Sequence, residues 1–81
     1  MAKAQHASSY RGFPAMLRRM REDADLTQRD LAKKLRRTQP WVHKTEIGER
    51  RADITEFLDW CLACEVDPEA AFRELRKNRR G

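Results

Sequence analysis

Residues 26–51 read LTQRDLAKKLRRTQPWVHKTEIGERR, and the parsing of this stretch decides the fold. Thr27 carries a hydroxyl suited to an orphan backbone N–H at a helix start, and Asp30 puts negative charge in the first turn, so a helix begins at Gln28. Leu31, Ala32 and Leu35 then share one helical face while Arg29, Lys33 and Lys34 take the other, which makes the segment amphipathic with a basic back. Ala32 is the small residue that a close helix crossing needs. The periodicity breaks between Leu35 and Thr38. Thr38 is a second N-cap, Pro40 fits a first turn in which no N–H partner is lost, and Gly48 stops a second helix over Gln39 to Ile47. The stretch is therefore helix, tight turn, helix.

At 100° per residue, the second helix puts Val42 and Thr45 on one side and Pro40, Lys44 and Ile47 on the opposite side. Its outer face is thus not needed for a core. Gln39 leads that helix, and a glutamine carboxamide can make two parallel hydrogen bonds to an adenine edge in the major groove. Taken singly, Gln39, His43 and Lys44 are equally well read as solvated polar positions; together they suggest a DNA-reading helix.

The ordered set LTQRDLA and TQPWVHKTEIGERR resembles the Cro and phage-repressor class of helix-turn-helix proteins, the XRE-like family, in its LTQ-x-x-LA opening and E-x-G-x-R close. The resemblance runs from about Phe13 to Leu75. It implies an all-α, compact five-helix domain over residues 10–77, with helices two and three as the helix-turn-helix, between a flexible tail at 1–9 and a basic tail at 78–81. The implied function is sequence-specific transcriptional regulation by occupancy of a palindromic operator in double-stranded DNA. The implied actor is a homodimer in a bacterial or phage-infected cytoplasm, associated with the nucleoid. Base contacts fall to Gln39, Pro40, Trp41 and Lys44, with Trp41 either packing on a sugar or thymine methyl or folding back onto helix two. Phosphate contacts fall to Gln28, Arg21, His43, Arg50 and Arg51. Arg21 is also expected to pair with Glu46, tying helix one to the reading helix. Three positions depart from the family pattern: Arg36 replaces the usual Gly, Arg37 a small apolar residue and Thr45 an apolar one. A left-handed backbone at Arg36 would cost about 1 kcal/mol.

A chain of 81 residues makes one small domain that buries about 60–70% of its chain surface, so its stability is modest and self-association would help. Charge is unevenly spread within the net +5. Residues 1–25 carry five Lys or Arg against three acids, residues 26–52 eight against three, and residues 53–81 five against seven. The positive charge peaks on the helix-turn-helix, which favours a nucleic-acid partner over a membrane surface. No apolar run is long enough for a secretory leader or a membrane span. Cys61 and Cys64 form a C-x-x-C, but both fall at i, i+3 on the apolar face of an expected helix, with only His6 and His43 as other soft ligands. They are read as buried thiols, not a metal or redox site. No paired nucleophile and base appears, so no catalysis, cofactor or small-molecule substrate is expected.

Elsewhere, MAKAQHASS at 1–9 has little to bury and Tyr10 is its anchor. Helix one is expected over Phe13 to Ala24, with Pro14 in its first turn, Phe13, Leu17 and Met20 or Ala24 inward, and Asp25 at a left-handed stop. Helix four is capped by Asp53 with Glu56 as capping-box partner, and Ile54, Phe57, Trp60, Cys61 and Cys64 face the core. Helix five starts near Pro68, and Phe72 and Leu75 close the core. Leu58 and Leu62 are left on the flank as a dimer or partner surface. The tail RKNRRG at 76–81 reaches nucleic acid or is simply solvated. The competing functional class is an antitoxin-like protein-interaction module with the same fold, its surface built from Trp60, Leu58, Leu62 and helix five.

Overall fold

The computed structural model describes the backbone of residues 2–78 and the side chains of residues 10–78. Its helices are α1 (Ala2–Asp23), α2 (Gln28–Leu35), α3 (Gln39–Glu46), α4 (Ile54–Ala63) and α5 (Pro68–Asn78), with no strand among the described residues. Each start has a local cause. Thr27 accepts from the Asp30 N–H at 3.0 Å while the Asp30 carboxylate accepts from the Thr27 N–H at 3.0 Å, a reciprocal capping box. Asp53 and Glu56 repeat the arrangement at α4. Thr38 caps α3 by accepting from the Trp41 N–H, and Pro40 lies in the first turn.

The four stops before the C-terminal helix share one geometry, a left-handed residue closed by two backward hydrogen bonds. Leu26 and Asp25 donate to the carbonyls of Arg21 and Glu22, Arg37 and Arg36 to Ala32 and Lys33, Glu49 and Gly48 to Lys44 and Thr45, and Val66 and Glu65 to Cys61 and Leu62. Only one of the left-handed residues is glycine: φ is +65° at Asp25, +58° at Arg36, +81° at Gly48 and +57° at Glu65. The backbone pattern of the turn thus survives the missing glycine at Arg36, and Glu65 is a further strained stop that no sequence signal marks.

Met16, Leu17, Leu31, Val42, Trp60 and Cys61 form the heart of the core, with Phe13, Leu35, Trp41 and Leu75 packed at its edge. The Trp60 indole N–H donates to the Leu17 carbonyl at 3.0 Å, so the largest buried side chain is satisfied and ties α4 to α1. Thr45, fully buried where an apolar residue is usual, donates its hydroxyl to the Trp41 carbonyl at 2.8 Å. Two expected core residues are not in the core: Ile54 is 66% exposed and Phe72 55%. Ile54 is the first residue of α4 and overhangs its end, while on α5 Ala71, one position back, takes the buried place.

Helix α1 begins at Ala2 instead of Phe13. Residues 2–5 are Ala, Lys, Ala and Gln, good helix formers whose propensity needs no apolar stripe. Pro14 is accordingly inside the helix, buried, and its missing N–H leaves the Tyr10 carbonyl without its helix bond. Residues 79–81 of the basic tail lie outside the described residues.

Candidate nucleic-acid interface

The turn between α2 and α3 sets the two helices against each other, with Leu31 and Ala32 on one side and Val42 and Thr45 on the other buried between them. This fixes which face of α3 is outward. Gln39, Pro40, His43 and Lys44 are all exposed, as is Ile47 at the helix end. Arg29, Lys33 and Lys34 on α2 and Arg36 and Arg37 in the turn are exposed as well, so the surface around the two helices is cationic.

Below this surface runs a polar chain through three helices. Glu46 is buried at the end of α3 and accepts from the Arg21 guanidinium twice, from Nε at 2.6 Å and Nη2 at 3.1 Å. Arg21 also donates Nη1 to the Leu26 carbonyl at 2.8 Å, and the Glu46 hydrogen bond pushes its pKa up. Gln28, the first residue of α2, donates to the same carboxylate at 2.9 Å and accepts from Gln39 at 2.7 Å. His43 Nδ1 lies 3.5 Å from Gln28 Nε2. The sequence separates Arg21, Gln28, Gln39 and Glu46; the fold puts them in one continuous network. With its side chain one-tenth exposed, Arg21 is an internal strut that ties α1 to the end of α3.

Trp41 is half-buried against the core, its ring tilted toward Trp60 of α4 with ring centroids 6.3 Å apart and 33° from parallel. Two guanidinium groups cover it, Arg37 at 4.7 Å and Arg50 at 4.2 Å from the centroid. Glu56 holds both cations, Arg50 at 2.6 Å and Arg37 at 3.8 Å, and the Arg50 hydrogen bond brings its carboxyl below the usual carboxylate range. Arg50 has a further contact with the Thr45 hydroxyl at 3.4 Å. It is thus largely committed to packing, whereas the adjacent Arg51 is exposed and lies over the Tyr10 ring at 4.2 Å. The bracing role of Glu56 escapes sequence reasoning because its capping-box duty already explains the residue.

The remaining expectations separate cleanly. Leu58 is exposed beside Ile54, Phe72, Pro68, Glu69, Arg73 and Arg76 around a groove of about 420 Å³ on α4 and α5. Leu62, 68% exposed and one turn further along α4, borders a different hollow with Lys34, Arg36 and Asp59. Trp60 is fully buried and cannot belong to a partner surface. Cys61 and Cys64 are buried free thiols, each pushed up to about 11 by burial, and no group of three or more metal-ligating side chains occurs among the described residues. No helix of the described residues is long and apolar enough to cross a membrane.

Comparison with known proteins agrees with this geometry. The helix-turn-helix domain family matches residues 15–75. An XRE-family like protein from Pseudomonas syringae pv. tomato str. DC3000 has a similar structure, with a TM-score of 0.84 and 38% identity over 94% of this chain and 93% of that one. No curated protein matches the chain. The chain belongs to the XRE-like helix-turn-helix family, a family of DNA-binding regulators.

Proposed function

We propose that the protein is a sequence-specific transcriptional regulator that acts by occupying an operator, with α3 in the major groove and α2 across the backbone. The observation that carries this reading is the seating of Gln39. One of its amide hydrogens is spent on Gln28, which is itself anchored on the Glu46 and Arg21 pair, and this leaves one N–H and the carbonyl oxygen of Gln39 for an adenine. A side chain held in this way loses less freedom on binding. Lys44 and Pro40 share the outer face and read neighbouring positions. The backbone N–H of Gln28 at the start of α2, together with His43 and Arg51, meets phosphates, where the α2 dipole favours an anion. Blocking or recruiting polymerase follows from occupancy alone, and the chain performs no chemistry.

Dimerisation on a palindromic site fits the α4 and α5 groove. Ile54, Leu58 and Phe72 are exposed together, and Glu69, Arg73 and Arg76 along α5 put both signs of charge on one rim, which a two-fold related second copy can pair. The same groove is the feature that favours the second reading, a protein-interaction module whose groove binds another protein. Selection of duplexes from a random pool, followed by binding at several salt concentrations, separates the two. A regulator prefers selected over random duplexes, and Gln39→Ala then costs about 1–3 kcal/mol at the preferred site and relaxes base choice. Equal binding of selected and random duplexes would reject the regulator.

A further inference from the structure

Between the middle of α1 and the loop after α3 lies a cavity of about 350 Å³ lined by Tyr10, Arg11, Pro14, Glu46, Ile47 and Arg51, among others. It adjoins the reading helix, because Ile47 continues the outward face of Pro40 and Lys44. Two cations border it. Arg11 and Arg51 are both exposed, and among the described residues neither has an acidic side chain within ion-pair distance. By contrast, Arg50 and Arg21 are taken up by Glu56 and Glu46.

Tyr10 organises this corner. Its hydroxyl accepts from the Ala52 N–H at 3.0 Å, which ties the loop after α3 to α1. Its ring lies under the Arg51 guanidinium at 4.2 Å and is braced edge-on by Phe13, ring centroids 5.8 Å apart. A guanidinium resting on an aromatic face is already restricted before it meets an anion, and its N–H edge stays available. Both Tyr10 and Arg11 precede residue 15, where the family match begins.

We infer that this cavity is a seat for a DNA backbone phosphate, with Arg11 and Arg51 as its cations and Tyr10 as the residue that positions Arg51, so that the N-terminal part of α1 widens the footprint beyond the matched domain. This rests on the reading of α3 as a DNA-binding helix and names additional contacts for it. Because phosphate contacts carry no base information, the seat adds affinity for all duplexes alike.

The test is a salt titration of the full chain on a selected 20-base-pair duplex and on a random one. Replacement of both cations, Arg11→Ala with Arg51→Ala, should lower the slope of log K against log salt by roughly 1–2 and weaken both duplexes by the same factor. Tyr10→Leu should weaken binding roughly threefold to tenfold, the range expected when one ordered side chain is released. Tyr10→Phe, which keeps the ring under Arg51, should retain more binding than Tyr10→Leu. In an Arg51→Ala background Tyr10→Leu should cost nothing further for DNA, a coupling that a merely structural tyrosine would not show. Thermal unfolding of each variant confirms that it is folded at the assay temperature. An unchanged slope, a Tyr10→Leu penalty that persists without Arg51, or equal loss in the Phe and Leu variants overturns the seat. Wild-type protein that binds no duplex, or binds selected and random ones equally, overturns the reading of α3 instead.

Discussion

Substitution of Arg21 by Met should be among the most damaging single changes in the chain. The side chains of Arg21 and Glu46 are only 10% and 1% exposed. Glu46 Oε2 has Arg21 Nε as its partner at 2.6 Å, while Oε1 is shared between Arg21 Nη2 and Gln28 Nε2. Without the guanidinium, Oε2 loses that partner inside the protein and Oε1 keeps only the neutral amide of Gln28. A buried charge stripped of its partner costs about 3–5 kcal/mol. Loss of the bond to the Leu26 carbonyl adds little, because Leu26 is partly open to water. An 81-residue domain is expected to have about 4–12 kcal/mol in all, so the variant should lie near its unfolding threshold at room temperature. The decisive arm is Arg21→Met with Glu46→Leu, which removes both charges and fills the space with apolar atoms. Gln28 is half-buried and keeps Gln39, so the double variant should recover at least about 2 kcal/mol over Arg21→Met. Urea unfolding followed by far-ultraviolet circular dichroism measures all four corners of the cycle. A cost below about 1 kcal/mol for Arg21→Met, or a double variant no more stable than the single, would refute the argument that an unpartnered buried carboxylate is the cause.

Four further expectations concern stability and reactivity. Arg36→Gly and Glu65→Gly should each stabilise by about 0.5–1 kcal/mol in urea unfolding, the left-handed penalty of about 1–2 kcal/mol less the extra chain entropy of glycine. Gly48→Ala should lose about 1 kcal/mol for conformational reasons alone, since an added Cβ would meet only Pro14 Cγ, at an ordinary 3.7 Å. Cys61 and Cys64, both pushed up to about 11 by burial, should react with a thiol-specific disulfide reagent at pH 8 only as fast as the protein opens, and fully in denaturant. Asp30, Asp53 and Glu56 are held below the usual carboxylate range, by the Thr27 N–H, the Glu56 N–H and Arg50 respectively. Their depressed folded values give stability that is complete above the unfolded range and is lost as pH falls from about 5 toward 3; melting temperatures over that interval should drop, less steeply in Asp53→Asn.

The parts of the fold legible in the sequence are those set by neighbours in the chain. Thr27, Thr38 and Asp53 cap the helices they were expected to cap, because a hydroxyl or carboxylate acting two or three residues away involves no distant partner. The burial of Val42 and Thr45 follows from helical angle in the same way. Where the outcome depends on what arrives from elsewhere, periodicity is silent. The direction of Trp41 is decided by Trp60, and the engagement of Arg50 by Glu56, which lies on the next helix. Phe72 and Ala71 differ by one 100° step, and only the docking of α5 against the core selects between them. Charge and pattern identified the basic helix-turn-helix, and the resemblance pointed to the Arg21 and Glu46 pair, but nothing in the sequence marked Arg37 and Arg50 as turned toward Glu56 and Trp41. Tyr10, placed beforehand as an anchor, shows its bond to Ala52 only in three dimensions.

The stacking of Trp41 on Trp60 has an optical consequence. The chain's two tryptophans differ in setting, one sealed in the core and the other, on α3, roofed by Arg37 and Arg50. Anything that draws those two cations aside changes the polarity around the outer indole while the inner one stays buried. Natural fluorescence would therefore report events at this cation-covered flank of α3 without any attached dye.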